Sequence, residues 1–279
     1  MKDKKLKKGI LYITSNLLSW GITITCIFPI VWLLYSSLKT KEEFLLDTLS
    51  LPTELQIGNY IQAFKIGNLW LAMGNSAFYT GLNIVLVCIS ALVVGYFMAR
   101  FTFKGKKVIY FTYMLGMLIP LYALLVPVFV QYKVLGVLNT RIPIIITYYA
   151  MCMPIAIFLC ESFIQGIPYE LDEASVVDGC TLSQRLALII FPLTKPILAT
   201  VAILTMLSSW NEYGFAAVLT SDSSLRTVSV AMKSFSSGSE VEYTFLMAGL
   251  FAASLPLLII YTLFSKQVVK GMVAGAVKG

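Results

Sequence analysis

The apolar positions of this chain are gathered into long uncharged runs. Runs without Asp, Glu, Lys or Arg cover 9–38, 66–99, 108–132, 142–160 and 243–265, and Glu212 alone interrupts a sixth at 196–221. A helix needs roughly 20 apolar residues to cross a bilayer. The pattern therefore predicts an all-α membrane protein whose six transmembrane helices lie at about 10–35, 71–99, 108–131, 142–164, 196–219 and 244–265.

The composition favours lipid over water as the solvent of this protein. Hydrophobic residues make up 58% of the 279 residues and charged residues only 13%. A soluble domain of this length would carry about 25% charged residues to cover its surface. We therefore expect residues 1–279 to form a single transmembrane domain surrounded by membrane lipid.

The positive charges are distributed unevenly between the two sets of connections. Fourteen of the 21 Lys and Arg residues lie in the termini and in the connections that follow the second and fourth spans, and seven lie in the other connections. The positive-inside rule then places both termini in the cytoplasm. The net charge of +7 is explained by this topology, so no nucleic-acid partner is expected.

Cysteine and histidine usage excludes several kinds of chemistry. Cys26, Cys88, Cys152 and Cys160 fall in predicted spans, Cys180 falls in a predicted cytosolic loop, and no C-x-x-C pair occurs. The chain has no His, the most common general base and metal ligand. We therefore predict no disulfide framework, no metal site, no cofactor and no catalytic residues.

The connection at 165–196, between the fourth and fifth spans, is predicted to begin with a short helix. Pro168 is suited to the first turn of a helix, where its missing N–H costs nothing. Glu170, Asp172 and Glu173 follow, where the helix dipole favours negative charge. Gly179 then provides a left-handed stop.

A second short helix is predicted directly after this stop. Thr181 and Gln184 have the spacing of a capping box, and Pro192 is expected to end the helix. Its apolar stripe consists of Leu182, Leu186 and Ile189. Two exposed helices below the membrane could dock a partner, or they could lie passively on the bilayer, although anionic headgroups would repel their acids.

The same loop resembles a known family. The run Glu173–Gly179, EASVVDG, followed by IIFPL at 189–193 and by Pro196, is similar to the "EAA" signature of ABC import permeases, with Ser175 in place of an alanine. Trp210-Asn211-Glu212 resembles the W-N-(D/E) segment of the carbohydrate branch of that family, specifically its maltose-permease-like second subunit. The end of the chain, 271–279, resembles the branch's terminal G-x-x-x-G-A-V-K-G.

This resemblance implies a role, a location and partners. The chain would be a multi-pass permease subunit of the bacterial plasma (inner) membrane that transports a sugar or oligosaccharide. It would form a heterodimer with a second permease subunit, bind two ABC ATPase subunits, and receive sugar from an extracytoplasmic sugar-binding protein. The residues that would couple it to the ATPase are Glu173, Ala174, Ser175, Asp178 and Gly179. The terminal residues that would reach toward the ATPase dimer are Gly275, Ala276, Val277, Lys278 and Gly279.

Asp178 has two possible roles at this stage. It could cap the second helix of the loop, or it could pair with the ATPase. The sequence leaves both open.

The fifth predicted span carries polar residues that could line a substrate path. Thr205, Ser208, Ser209 and Glu212 follow helical spacing along one face. Polar groups inside lipid are costly and often functional, and Asn, Glu and an aromatic face suit sugars. The candidate residues are Ser208, Ser209, Asn211, Glu212 and Tyr213. Alternatively, the stripe packs against a neighbouring helix, with Ser and Thr as interhelical hydrogen-bonding groups.

Other functions fit the sequence less well. An ATP-independent secondary transporter predicts internal repeats or several ionisable residues at mid-membrane, and an ABC permease for a non-sugar solute would share the EAA run. A membrane enzyme would need a nucleophile–base or metal constellation. No G-x-x-x-x-G-K-(S/T) run occurs, so ATP hydrolysis would have to come from partner chains.

Overall fold

The computed structural model describes the backbone of residues 2–236 and 241–276 and the side chains of 12–236 and 241–264. Every regular element in these ranges is helical, as the sequence predicts. The α-helices are α1 Lys2–Ser36, α2 Lys41–Leu46, α3 Gly58–Ile66, α4 Leu69–Arg100, α5 Lys106–Leu118, α6 Leu125–Val134, α7 Arg141–Gln165, α8 Glu170–Val177, α9 Leu182–Arg185, α10 Phe191–Asn211, α11 Gly214–Leu219, α12 Val228–Ala231 and α13 Tyr243–Ala276.

Within the described part of the chain, five helical stretches are long and apolar enough to cross a membrane. They are Tyr12–Ser36, Leu69–Arg100, Arg141–Gln165, Leu182–Asn211 and Tyr243–Phe264. Four of them lie close to predicted spans. The remaining one, Leu182–Asn211, begins and ends earlier in the chain than the predicted fifth span, 196–219. Helix α11 is a separate short helix.

The third predicted span, 108–131, is not one straight helix. The chain bends by 99° between Lys106–Leu118 and Leu121–Val134. The break falls at Ile119 and Pro120, both extended, before a short 3₁₀ turn. Proline cannot donate the backbone hydrogen bond that continues a helix, and it disfavours a helical conformation in the residue before it. The described residues therefore contain five candidate spans, or six if the bent pair is counted as one.

Pro192 does not end the second helix of the 165–196 connection, contrary to the prediction. The chain stays helical from Leu182 through a π-helical turn, Leu186–Ile190, into α10. In that turn the N–H of Phe191 donates to the carbonyl of Leu186. Such a widened turn breaks the regular hydrogen-bond ladder just before the proline, where the missing N–H and the ring must be accommodated. The predicted second helix is thus the beginning of the fifth span.

The described chain divides into two compact units. The first contains the described residues of Met1–Leu69 and Met232–Leu255. Within it, Phe44 stacks on Tyr243 at a ring-centroid distance of 5.5 Å, and Lys39, which is fully buried, donates from Nζ to the carbonyl of Asp47 at 2.8 Å. The span Tyr12–Ser36 is exposed over its whole apolar window, as expected of a helix that faces lipid or another chain.

The second unit, described within Trp70–Ala231 and Pro256–Gly279, has its core between α4, α7 and α10. Gly95 brings α4 against α7 closely, because a Cβ at this position would lie 2.8 Å from the Cβ of Cys160. Small residues of this kind allow membrane helices to approach each other. The core side chains include Val87, Ala91, Tyr96, Cys152, Ala156, Ile157, Ile164, Leu198 and Val201.

Candidate functional site: the α8 loop and the polar end of α10

Helix α8 and the turn after it follow the local signals in the sequence. The acids Glu170, Asp172 and Glu173 occupy its first turn, and Gly179 has a φ of +76°. No atom lies within 4 Å of a Cβ built on Gly179, so the left-handed backbone, rather than lack of space, is what favours glycine there. Thr181 then forms the predicted capping box with Gln184.

The predicted coupling residues lie on two different faces of this helix. Glu173, Ala174, Asp178 and Gly179 are exposed, whereas Ser175 is buried and donates from Oγ to the carbonyl of Asp172 at 2.6 Å. Thr181, not Asp178, caps the second helix. Asp178 instead forms the C-cap of α8 through its backbone N–H, which donates to the carbonyl of Ala174.

The exposed face of α8 combines apolar and acidic side chains. Val177 is 87% exposed and Val176 is 55% exposed, and both lie beside the exposed acids Glu173 and Asp178. Exposed valines at the end of a polar helix are more costly in water than in a protein interface. This face therefore has the composition of a docking surface.

The buried face of α8 carries an ion pair that the sequence reasoning missed. Asp172 Oδ2 lies 2.8 Å from Nε of Arg100, the last residue of α4, and Asp172 Oδ1 accepts a hydrogen bond from the Tyr96 hydroxyl at 2.6 Å. The Arg100 and Asp172 side chains are 7% and 5% exposed. Arg100 Nη2 also donates to the carbonyl of Ile167 at 2.8 Å. The sequence contained the acid and the arginine, but nothing local to either indicated that they meet.

The polar residues of the fifth span do not form one continuous stripe. Ser209 is buried and its Oγ accepts from Asn83 Nδ2 at 2.7 Å, an interhelical bond between α10 and α4. Ser208 is exposed. Asn211, also exposed, ends the helix and donates to the carbonyl of Leu207 in its own last turn at 3.0 Å.

Glu212 lies beyond the end of α10 and caps the next helix. Its backbone is extended, and its carboxylate accepts the N–H groups of Phe215 at 2.8 Å and Ala216 at 3.0 Å. The Tyr148 hydroxyl donates to Glu212 Oε2 at 3.2 Å. A carboxylate at the start of a helix satisfies free N–H groups, so the buried Glu212 is engaged with its own chain. Tyr213, next to it, is 44% exposed.

A cavity of about 500 Å³ lies beside the bent pair of helices. Its lining is mostly apolar, with Gln131, Tyr132 and Thr147 as polar exceptions. None of the five predicted substrate-path residues lines it.

The predicted C-terminal contact lies almost wholly outside the described residues. Gly275 and Ala276 end α13, but side chains from residue 265 onward are not described, and Val277, Lys278 and Gly279 are outside the described backbone.

Residues 91–273 match the family described as "Binding-protein-dependent transport system inner membrane component". The match includes the whole α8 loop. The chain belongs to this family. It is therefore a multi-pass permease component of a binding-protein-dependent transporter.

Similar members of the family cover nearly the same length. The chain is 33% identical over 258 residues to a putative ABC transporter permease protein, ORF2, of Caldicellulosiruptor sp., which covers 92% of this chain and 94% of the relative. It is 31% identical over 284 residues to the trehalose/maltose transport system permease protein MalG of Thermococcus litoralis, covering 100% of both.

The fold of this permease is also found in a solved structure. A chain of a bacterial ABC transporter involved in the import of the acidic polysaccharide alginate superimposes with a TM-score of 0.80 at 24% identity. The superposition covers 92% of this chain and 96% of that chain. The helical arrangement described above is thus shared with an importer subunit.

Proposed function

We propose that this permease is one half of a heterodimeric pathway that imports a sugar or an oligosaccharide at the expense of ATP. The identity of its relatives supports the substrate class, since similar permeases of nearly equal length are named for trehalose/maltose, arabinooligosaccharide and diacetylchitobiose transport. A second permease subunit would complete the pathway. An extracytoplasmic sugar-binding protein would deliver the substrate.

Two ABC ATPase subunits would supply the energy, because the sequence contains no P-loop of its own. The observation that carries this assignment is the exposed face of α8, where Val177 is 87% exposed beside Glu173 and Asp178. An ATPase cleft with apolar walls and basic rims would bury the valine and pair with the acids. The terminal residues Gly275–Gly279 would add a second contact to the ATPases. In this arrangement α8 and both termini face the cytoplasm.

The substrate path is proposed to pass the exposed side chains at the end of α10. Ser208, Asn211 and Tyr213 are exposed in this chain and would face the companion permease. Ser209 and Glu212 would act indirectly, because Ser209 joins α10 to α4 and Glu212 holds the start of α11.

The experiment starts from the native complex. A tag on this chain purifies it with its companion subunits, which are identified by mass spectrometry and reconstituted into vesicles. ATP hydrolysis is then measured while binding protein loaded with different oligosaccharides is titrated. We expect one class of sugar to stimulate hydrolysis and to accumulate inside the vesicles.

Two variants test the docking face directly. Gly179→Asp places a charged side chain on a left-handed backbone, and Glu173→Lys reverses an exposed charge on α8. We expect both to lose the ATPase on co-purification, whereas Glu54→Lys, an exposed reversal in the other unit, keeps it. If both loop variants retain the ATPase and sugar-stimulated hydrolysis, the docking assignment is wrong. If a non-sugar solute is the stimulant, the substrate assignment is wrong.

A further inference from the structure

The backbone connects α8 to the segments before and after it in sequence. Side-chain contacts also connect α8 to α4, which is distant in sequence. Arg100 and Tyr96, one turn apart on α4, both contact the carboxylate of Asp172, one to each oxygen. Arg100 also holds the carbonyl of Ile167, just before α8. Arg185 Nη1 lies 3.5 Å from the Tyr96 hydroxyl, which adds α9 to the group. We call Tyr96, Arg100 and Asp172 the α4 anchor.

The anchor is not the arrangement that stability alone would favour. Both charged side chains are at least nine-tenths buried, and the attraction between two buried charges can return less free energy than their removal from water costs. Apolar residues of similar volume in place of a buried ion pair are often equally stable or more so. What the ion pair does supply is a link between two helices, because Arg100 and Tyr96 of α4 each contact one carboxylate oxygen of Asp172 on α8.

The helix that the anchor holds, α8, has an exposed outer face. On α8, Asp172 and Ser175 face the protein, while Glu173 and Ala174 face outward. In sequence, α8 is followed by the turn at Gly179 and then by α9, the π-helical turn and α10. Through the anchor it is also joined to the last turn of α4. A displacement of α8 would therefore act on two of the helices that form the core.

We propose that the α4 anchor transmits the movement of α8 to α4, so that Tyr96, Arg100 and Asp172 are positioning residues for coupling. This inference rests on the proposed function. ATP-driven movement of the partner subunits displaces α8, and the anchor makes α4 follow. Without the anchor, α8 still moves α10, but α4 stays behind and the pathway opens incompletely.

The principal test removes the anchor without leaving a buried charge. The triple variant Tyr96→Phe, Arg100→Met, Asp172→Leu keeps the approximate side-chain volumes. We expect the complex to assemble and hydrolyse ATP, but sugar transported per ATP hydrolysed should fall about fivefold or more, the lower end of typical coupling between sites. An unchanged ratio of transport to hydrolysis would overturn the inference.

Single variants keep the test decisive if the triple variant does not assemble. Tyr96→Phe removes only the hydroxyl that donates to Asp172, and it should lower transport per ATP about twofold or more. Tyr149→Phe is the matched control, since it removes a hydroxyl that bonds to Ser90 on the same helix α4 at 2.9 Å. If the two variants lower the ratio equally, the Tyr96 bond has a general structural role and the inference fails.

A conservative variant and the wild type separate the two proposals. Arg100→Lys retains the charge, and transport per ATP should stay closer to the wild-type value than in the triple variant. If the wild type itself couples no transport to hydrolysis, the proposed function is wrong. If the wild type is coupled and the triple variant and Tyr96→Phe are coupled equally well, only the anchor inference is wrong.

Discussion

Helix α4 contacts segments distant in sequence at both of its ends, and the chemistry of the two ends differs. At the Arg100 end, a buried ion pair to Asp172 holds α8. At the Leu69 end, Asn75 donates from Nδ2 to the carbonyls of Ser224 and Arg226 at 2.8 and 3.1 Å. Two more hydrogen bonds at that end also join neutral groups: the Ser76 hydroxyl accepts the N–H of Val228, and the Tyr79 hydroxyl donates to the carbonyl of Leu225.

The difference indicates which attachment is structural and which is suited to transmit movement. A neutral amide or hydroxyl is inexpensive to bury once its partner is in place, with a net contribution of about 1 kcal/mol per bond. A buried ion pair is costly to assemble and costly to half-break. At the neutral end, several hydrogen bonds hold the loop, and each of them can break without leaving a buried charge. The charged end is either intact or strongly unfavourable, as a link between moving parts should be.

The largest expected effect comes from breaking the charged end at one partner. Asp172→Asn leaves Arg100 buried without its carboxylate, and we expect the free energy of unfolding to fall by about 3–5 kcal/mol. The measurement is denaturant unfolding of the purified complex in detergent. Glu54→Gln, an exposed carboxylate away from the α8 docking face, should change it by less than about 0.5 kcal/mol. Equal effects would show that burial of the ion pair has no energetic consequence.

A buried carboxylate with neutral partners should give an intermediate effect. Glu212→Gln keeps the size of the side chain but replaces one oxygen by NH₂, which cannot accept the N–H of Phe215 or Ala216. We expect a loss of about 1–3 kcal/mol in the free energy of unfolding. Glu54→Gln, which is exposed, is the control. A loss as large as that of Asp172→Asn would mean that the charge itself, rather than a charged partner, sets the cost.

The comparison also separates what the sequence could predict from what it could not. Local signals were sufficient for the Thr181–Gln184 capping box and for the left-handed Gly179, because each depends on residues within one turn. The length of the uncharged runs was sufficient to locate four of the spanning helices, but not the bend in the third predicted span or the bounds of the fifth. The Arg100–Asp172 pair was not predictable, because its partners are far apart in sequence and meet only through the packing of α4 against α7 and α8.

The different conformations of the chain at two prolines have a related cause. Pro120 interrupts a predicted span, whereas Pro192 lies within a helix that continues through a π-helical turn. The residue type is the same, and only the surrounding packing decides between a break and a widened turn. The sequence predicted that Glu212 continues the polar stripe of the fifth span. In the structure α10 ends at Asn211, and the carboxylate of Glu212 accepts an N–H at the start of α11 instead.

The neutral end should give a smaller and local effect. Asn75→Ala leaves the carbonyls of Ser224 and Arg226 without this donor, at a cost of about 1–2 kcal/mol. Amide hydrogen exchange in residues 224–228 should become faster, with little change in α8. Asn211→Ala removes an amide that bonds within its own helix and should leave exchange at 224–228 unchanged. Faster exchange in α8 as well would show that the two ends of α4 are coupled and would contradict the division drawn above.

The smallest expected effect depends on pH and involves the loop held at the neutral end. The backbone N–H of Ser224 donates to Asp222 Oδ1 at 2.8 Å, and this bond lowers the pKa of the exposed Asp222 carboxyl below its ordinary value of about 3.9. Because the folded-state pKa is the lower one, the stabilisation is complete at neutral pH and is lost as the pH falls from about 4 through the folded-state pKa. Exchange at Ser224, relative to that of an unstructured peptide, should therefore increase on acidification in the wild type. Asp222→Asn should show no such increase, and an identical pH profile in both would mean that Asp222 does not hold the turn.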